Sequence, residues 1–154
     1  MSIPVTLGAL VGEWEGRNRL WLSPDEPARE SATTATIALA AQGRFLTVSY
    51  RWADGEKPQD GVILLGAGQQ GKALEAAWAD SFHMGDALMP CTVIVESSGE
   101  VSLVGSYAAP PGPDWGWRIE SHPDADDVVQ LRMYNIIPDG EEALAVEANY
   151  RRRL

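Results

Sequence analysis

The stretch WADSFHMGDALMP, residues 78–90, brings together four polar side chains that could do chemistry: Asp80, Ser81, His83 and Asp86. An aspartate close to a histidine can orient a general base, and a nearby serine invites comparison with a catalytic triad. Ser81 lacks the flanking glycines of a nucleophile elbow, however, and aspartate and serine are also common at strand ends and helix caps. Two interpretations stay open: an enzymatic site around Asp80 and His83, and a polar rim at the mouth of a binding pocket.

A metal or phosphate site has less support. His83 and His122 lie far apart, without the paired cysteine or histidine spacings of metal sites. The stretch GAGQQG, residues 66–71, lies between two predicted strands, so it indicates a hairpin turn and not a phosphate loop. Cys91 follows Pro90 near a strand start and is expected to be a small core residue. We therefore predict no metal and no cofactor.

The elements that must position these side chains are β-strands, as the stretch VGEWEGR at residues 11–17 shows. In a strand, Trp14 shares one face with two glycines, and the charged residues lie on the other face. A helix would spread these side chains around its circumference, and the glycines would weaken it. The pattern therefore predicts a strand that buries Trp14. Its exposed face carries Glu13, Glu15, Arg17 and Arg19.

Segments of alternating apolar and polar residues recur along the whole chain, separated by glycine, proline and aspartate turn signals. They predict about ten strands: residues 12–22, 31–39, 44–52, 61–66, 73–80, 92–97, 101–107, 115–121, 128–136 and 143–152. Only Val5–Leu10 and a short turn around Phe82–Leu88 favour helix.

This order of elements predicts an all-β fold, an antiparallel up-and-down β-barrel with a short N-terminal helix. Consecutive strands with short connections tend to pair with their neighbours. A flat sheet of about ten strands would expose two edges, and closure removes them. A two-sheet sandwich is the alternative. Since no repeat or linker divides the sequence, residues 1–154 are expected to form one domain.

Composition limits the classes of partner. The chain has 154 residues, with 12 basic and 22 acidic side chains, a formal net charge of -10 and a pI of about 4.5. This charge repels phosphate backbones and anionic membrane surfaces, so neither nucleic acid nor a membrane is a predicted partner. The arginines at 151–153 are interpreted as a solvated strand end. A single cysteine and the lack of a signal-peptide layout favour the cytoplasm.

Closure of the barrel would bring large aromatic residues into the interior. Six tryptophans are present, and most fall at positions whose parity points inward. An apolar pocket with a few polar groups is the usual form of a small-molecule site. The predicted ligand-binding residues lie on inward faces and in the neighbouring polar loop: Asn18, Tyr50, Trp52, Trp78, Asp80, His83, Tyr107, Trp117, Met133 and Asn135.

Three features resemble the calycin barrels, which include lipocalins and fatty-acid-binding proteins: a G-x-W at Gly12–Trp14, a short helical segment before it, and an arginine at the end of the last strand. In those proteins the tryptophan and the basic side chain pack together across the closed end of the barrel. If Tyr150 faces inward, parity selects Arg152 among the terminal arginines. The resemblance therefore implies a structural role for Trp14 and Arg152 at the closed end.

The wider sequence is similar to a bacterial group of calycin-like barrels known only as a domain of unknown function. The similarity covers most of the chain and rests on LGALVGEWEG, GRFLTVSYRW, GVILLGA, WADS and ANYRR. A distant similarity links the chain to nitrobindins, haem-binding barrels that open with a comparable G-x-W and bind iron through a histidine. Neither His83 nor His122 is matched to that histidine, so no haem is predicted.

Together these features predict a cytoplasmic barrel that binds a small apolar or aromatic ligand, with a homodimer as a possible assembly. Two alternatives come from other classes. One is an enzyme that acts on a small molecule at the barrel mouth through Asp80 and His83, and the other is a structural or dimerisation module with a filled interior. A cavity in the structure would disfavour the filled interior. Turnover that is lost on changing Asp80 or His83 would identify the enzyme.

Overall fold

The computed structural model describes residues 3–69 and 73–154. Within these residues, ten strands form a closed antiparallel barrel in which each strand pairs with its neighbours in sequence and the first also pairs with the last. The elements are α1 (Val5–Gly8), β1 (Gly12–Leu20), β2 (Arg29–Ala40), β3 (Phe45–Asp54), β4 (Lys57–Gly66), β5 (Glu75–Asp80), β6 (Met89–Val95), β7 (Val101–Tyr107), β8 (Trp115–Ala125), β9 (Val128–Ile136) and β10 (Glu142–Arg152). The predicted up-and-down barrel with a short N-terminal helix is confirmed, and the two-sheet sandwich is wrong.

β4 begins at Lys57 instead of the predicted Gly61. Asp54 and Lys57 pair across the β3–β4 turn, where Gly55 adopts a φ of 62°. This left-handed conformation suits glycine, and it lets the ladder start directly after the turn.

Two other strands also extend further than the alternation predicts. β6 begins at Met89 instead of Thr92, and β8 continues to Ala125 instead of ending at Ser121. Both extensions contain a proline, which the sequence interpretation took as a break. The structure accommodates Pro90 in the short β5–β6 ladder, and the register of β8 shifts beside its proline.

The predicted helix at Val5–Leu10 ends at Gly8, and Phe82–Leu88 forms turns and coil instead of helix. The hairpin turn predicted at residues 66–71 lies partly outside the described residues. These differences leave the barrel topology unchanged.

The pleat separates a buried interior from a charged exterior. Inward residues such as Leu46 and Ile119 are 2% exposed. The exterior carries ion pairs such as that of Arg118 with Glu142. The charged residues of β1 lie on its outer face, as the alternation predicts.

The end at which β1 begins, the closed end, is covered by α1 and Trp14. Trp14 is 2% exposed, and its Nε1 donates to the carbonyl oxygen of Leu10 at 2.9 Å. The guanidinium of Arg152 lies 4.4 Å from the centre of the Trp14 ring and donates to the carbonyl oxygens of Val11 (2.7 Å) and Ala9 (2.8 Å). This is the contact that the parity of β10 and the resemblance to calycins predict.

Two glycines of β1 permit this closure. A Cβ on Gly16 would lie 1.7 Å from the backbone oxygen of Asn149 in β10, so no side chain fits there. A Cβ on Gly12, whose φ is 145°, would lie 2.7 Å from Nη1 of Arg152. Arg152 also donates from Nε to Asp127 in the β8–β9 turn, at 2.7 Å. The closed end is therefore fixed from three parts of the chain.

The opposite end, the loop end, carries the connections that follow β1, β3, β5, β7 and β9. Three of these are long: residues 21–28 after β1, residues 81–88 after β5 and residues 108–114 after β7. Antiparallel up-and-down topology places these connections at the same rim.

Candidate binding chamber at the loop end

Asp80, the last residue of β5, fixes the start of the β5–β6 connection. It is 3% exposed. Its Oδ1 accepts hydrogen bonds from the backbone N–H of Phe82 at 2.8 Å and of His83 at 2.9 Å. Its Oδ2 accepts a hydrogen bond from the hydroxyl of Tyr50 at 2.5 Å. Both oxygens of the carboxylate therefore hold the connection against the barrel.

Tyr50 links this carboxylate to Trp78 in a buried network. Nε1 of Trp78 donates to the Tyr50 hydroxyl at 2.9 Å. Burial, reinforced by the charge of Asp80, raises the pKa of Tyr50 well above its ordinary value of 10.0. The hydroxyl keeps its proton as a result, and it serves as the donor to Asp80.

The ring of His83 is enclosed by aromatic side chains. Its centre lies 4.9 Å from that of Phe82, 5.1 Å from that of Trp117, and 5.9 Å from those of Trp52 and Trp78. Trp78 and Trp117 stack on each other at 5.4 Å. The connection thus inserts a histidine into the aromatic end of the barrel.

This environment keeps His83 uncharged. Burial lowers the pKa of His83 below its ordinary value of 6.5, because the apolar rings replace the water that would solvate an imidazolium. The charge of Asp80 acts in the opposite direction and is outweighed. At neutral pH the ring therefore offers one N–H donor and one nitrogen acceptor.

A cavity of about 170 Å³ lies beside this aromatic cluster. We call it the loop-end chamber. Its lining residues are Trp78, His83, Met84, Met89, Tyr107, Trp117 and Asn135. Aromatic rings and thioethers dominate, which is the lining typical of a small-molecule site.

The polar groups of the residues that line the chamber differ in whether they have hydrogen-bond partners. The Tyr107 hydroxyl donates to Oδ1 of Asn135 at 2.6 Å. Nε1 of Trp117 and Nε2 of His83 are buried and have no hydrogen-bond partner among the described residues. Leaving a buried polar atom unpaired costs about 1–3 kcal/mol. Both nitrogens are therefore candidate contacts for a bound molecule.

A second cavity, of about 90 Å³, lies nearer the closed end and is lined almost entirely by apolar atoms. It shares no lining residue with the loop-end chamber. The inward residues of β9 mark the division. Leu131 lines the lower cavity, Met133 lines neither cavity and is 2% exposed, and Asn135 lines the loop-end chamber. The interior therefore holds two spaces of different chemistry.

Half of the residues that the sequence predicts as ligand contacts line the loop-end chamber. They are Trp78, His83, Tyr107, Trp117 and Asn135. They come from β5, the β5–β6 connection, β7, β8 and β9, so the barrel brings together residues that are far apart in sequence.

The other five predicted contacts lie elsewhere. Trp52 packs against Phe82 and His83 but does not line the chamber. Tyr50 lines the lower cavity, and Asp80 anchors the connection. Asn18 and Met133 are buried and line neither cavity.

Sequence reasoning missed two methionines of the chamber. Met84 lies in the β5–β6 connection, and Met89 is the first residue of β6. Because the strand was predicted to begin at Thr92, the inward parity that Met89 shares with Cys91 was not followed. Cys91 itself is a buried core residue as predicted, and burial raises the pKa of its thiol to about 11.

The hydrogen bonds of the described residues do not connect Asp80, Ser81 and His83 as a catalytic triad. Asp80 accepts from backbone N–H groups and from a tyrosine, and the Ser81 hydroxyl donates to Gln59 at 2.7 Å. Asp86 is exposed, and His122 lies on the exterior between two carboxylates at 2.8 and 3.0 Å. Across residues 3–69 and 73–154, no group of three histidine, cysteine, aspartate or glutamate side chains is placed to hold a metal ion.

The fold and the chamber define a closed antiparallel β-barrel with a small interior site. A family model described as "Protein of unknown function (DUF1579)" matches residues 5–152, and the chain belongs to this family. No match was found among curated proteins.

Two solved structures are similar in fold. Rv2717c from M. tuberculosis is 16% identical, with a TM-score of 0.64 and 100% of both chains covered. The S-type phycobiliprotein lyase CPES from Guillardia theta is 13% identical, with a TM-score of 0.66, and the alignment covers 100% of this chain and 94% of the lyase. At these identities the likeness shows a shared barrel fold. The described part of the chain contains no helix long and apolar enough to cross a membrane.

Proposed function

We propose that the protein binds a small, largely apolar or aromatic molecule in the loop-end chamber. The observation that carries this proposal is an aromatic cavity of about 170 Å³ whose lining includes Trp117 and His83, two residues whose Nε1 and Nε2 are buried and have no hydrogen-bond partner among the described residues. Folded proteins pair nearly all of their buried polar groups, and an exception calls for a partner that the chain does not supply. A ligand with complementary polar atoms supplies it.

The two alternatives have less support. A structural or dimerisation module would have a filled interior, whereas cavities of about 90 and 170 Å³ lie within the described barrel. An enzyme that used Asp80 to orient His83 as a base would need the carboxylate to accept a hydrogen bond from the imidazole ring. Among the described residues, Asp80 instead accepts from the backbone N–H groups of Phe82 and His83 and from the Tyr50 hydroxyl. Binding without turnover is the function that this arrangement supports best.

We also propose that the barrel is of calycin type and that residues 1–154 act as one cytoplasmic domain. The contact of Trp14 with Arg152 across the closed end supports the calycin assignment, since it is the feature on which the resemblance rests. The ten strands of one closed barrel support the single domain.

Tryptophan fluorescence, titrated with one-ring aromatic probes and short fatty acids, tests the proposed binding. Trp78 and Trp117 border the chamber, so an occupant is expected to quench or shift their emission. Two variants on β9 locate the site: Asn135→Phe fills the loop-end chamber, and Leu131→Phe fills the lower cavity. Binding is expected to be lost in the first variant and kept in the second.

The control for these variants is near-UV circular dichroism, which reports whether each keeps native packing. A wild-type protein whose emission responds to no probe contradicts the proposal. So does a pair of folded variants that lose binding equally. Native mass spectrometry of protein purified from its own host complements the titration, because a retained small molecule would appear as a discrete added mass.

A further inference from the structure

The ring of Trp117 is held by packing, while its polar atom is left without a partner. Trp117 is 6% exposed and stacks on Trp78 with an angle of 12° between the rings. Its Nε1 is buried and has no acceptor among the described residues. An indole N–H can only donate. Whatever completes this site must therefore present a hydrogen-bond acceptor.

His83 gives the second constraint. Its Nε2 is buried and has no hydrogen-bond partner within residues 3–69 and 73–154, and its ring centre lies 5.1 Å from that of Trp117. The aromatic enclosure keeps the imidazole neutral, as its lowered pKa indicates. A neutral imidazole forms a hydrogen bond with an uncharged donor or acceptor, and it does not supply a positive charge to an anion.

The lining of the chamber disfavours a charged ligand. None of its lining residues is lysine, arginine, aspartate or glutamate. An anion would enter an apolar space without a counter-ion, in a protein whose formal net charge is -10. A cation would find no carboxylate among the lining residues, and it could not accept the hydrogen bond that the Trp117 N–H donates. An uncharged ligand satisfies both buried nitrogens without these penalties.

The size of the chamber limits the ligand further. An engineered cavity of about 150 Å³ in another protein binds benzene. The loop-end chamber, at about 170 Å³, thus admits a single aromatic ring with a small substituent. The aromatic side chains of Trp78, Tyr107 and Trp117 in the lining suit a flat molecule.

We propose that the ligand is an uncharged one-ring aromatic compound with a carbonyl or ring-nitrogen acceptor, which receives a hydrogen bond from Trp117 Nε1 and contacts His83 Nε2. This proposal rests on the proposed function, because it specifies the chemistry of the same chamber. The proposal predicts that one hydrogen-bond acceptor on the ligand raises its affinity. A chamber that bound apolar rings in general would not show this preference.

Titration calorimetry with three phenyl probes tests the proposal. Ethylbenzene and acetophenone have nearly the same shape and differ by an acceptor, and benzoate adds a charge. We expect acetophenone to bind about tenfold more tightly than ethylbenzene, because it pairs a buried donor that ethylbenzene leaves unpaired. Benzoate is expected to bind more weakly than acetophenone.

Two variants assign the selectivity to one atom. Trp117→Phe keeps an aromatic ring and removes the N–H, so the preference for acetophenone should disappear while ethylbenzene still binds. Trp21→Phe is the matched control, since Trp21 packs with Arg19 on the exterior and should leave the preference unchanged. In nitrogen-15 NMR spectra, the indole N–H signal that is missing from Trp117→Phe should shift when acetophenone is added to the wild type.

The outcomes separate this proposal from the one on which it rests. Equal binding of ethylbenzene and acetophenone, unchanged in Trp117→Phe, would leave the proposed function standing and overturn the acceptor proposal. That result would mean that the Trp117 N–H does not contact the bound ring. Absence of binding for all three probes would overturn both proposals.

Discussion

The two ends of the barrel bury tryptophans to nearly the same degree but treat their polar atoms differently. At the closed end, Trp14 is 2% exposed and its Nε1 donates to a backbone carbonyl. At the loop end, Trp117 is 6% exposed and its Nε1 has no partner among the described residues. Burial alone therefore does not distinguish Trp14 from Trp117, whereas the hydrogen bond of the indole does.

The histidine and the arginine near these rings show the same contrast. Arg152 covers the Trp14 ring and has backbone and carboxylate partners for its nitrogens. His83 lies against Trp117 but has an unpartnered Nε2 beside a cavity. We conclude that the closed end needs no ligand to pair the polar atoms of Trp14 and Arg152. The following variants test whether the loop end needs one.

Trp14→Ala should have the largest effect on stability. Removing this buried tryptophan is expected to lower the free energy of unfolding by about 3–5 kcal/mol, since the contacts of the ring are lost and a large space is left at the closed end. Urea unfolding followed by far-UV circular dichroism measures this change. A loss below about 1 kcal/mol would mean that the ring does not close the barrel.

Arg152→Ala should have a smaller effect of about 1–3 kcal/mol, because it removes the stacking on Trp14 and two hydrogen bonds to backbone carbonyls. Arg151→Ala is the control on the same strand. Arg151 is exposed, so its replacement should change stability by at most about 0.5 kcal/mol. Equal effects of the two variants would contradict the role assigned to Arg152.

Replacing each tryptophan by phenylalanine sharpens the comparison of the two ends. Trp14→Phe leaves the Leu10 carbonyl without its donor, whereas Trp117→Phe removes a donor that has no acceptor in the described part of the chain. We expect Trp14→Phe to be the more destabilising of the two by about 1 kcal/mol, as measured by urea unfolding without ligand. The opposite order would indicate that the Trp117 N–H is paired within the protein.

The two histidines should give small pH effects of opposite sign. The pKa of His83 is lowered by burial, so its contribution to stability is present above the unfolded value of 6.5 and is lost as pH falls below it. Burial also acts to lower the pKa of His122, but its hydrogen bonds with Glu120 and Glu100 outweigh this and raise it. Its contribution is present below 6.5 and is lost as pH rises through the raised value.

Unfolding free energies of the wild type, His83→Gln and His122→Gln between about pH 5 and 8 check this prediction. His83→Gln should flatten the decline on the acid side, and His122→Gln should flatten the decline on the alkaline side. If both variants flattened the same side, one of the two environments would be misassigned.

The sequence predicted the barrel because its strands depend on local alternation, and the resemblance to calycin barrels implied the contact at the closed end. The glycines beside Trp14 and the parity of β10 specify which side chains meet at that end. The loop end was predicted less completely. Trp78, Tyr107, Trp117 and Asn135 follow from strand parity and line the chamber.

Other features of the loop end depend on contacts that no local pattern encodes. Asp80 accepts hydrogen bonds from the connection that follows it and from Tyr50, and these bonds turn His83 inward. Because His83 lies in a loop, strand parity could not predict this orientation. Met89 was missed because it precedes Pro90, and the start of β6 was predicted after this proline, at Thr92. Whether inward aromatic residues fill the interior or leave a cavity depends on packing between distant strands, so alternation could not decide it.

The most direct test of a binding chamber at the loop end is nitrogen-15 NMR of the tryptophan indole groups during titration with one-ring aromatic probes. The signals of Trp78 and Trp117 are expected to shift with increasing probe, because both rings line the chamber. The signal of Trp14, whose N–H is bonded at the closed end, is expected to stay in place. Unchanged Trp78 and Trp117 signals with every probe, or a shift confined to Trp14, would contradict a ligand site at the loop end.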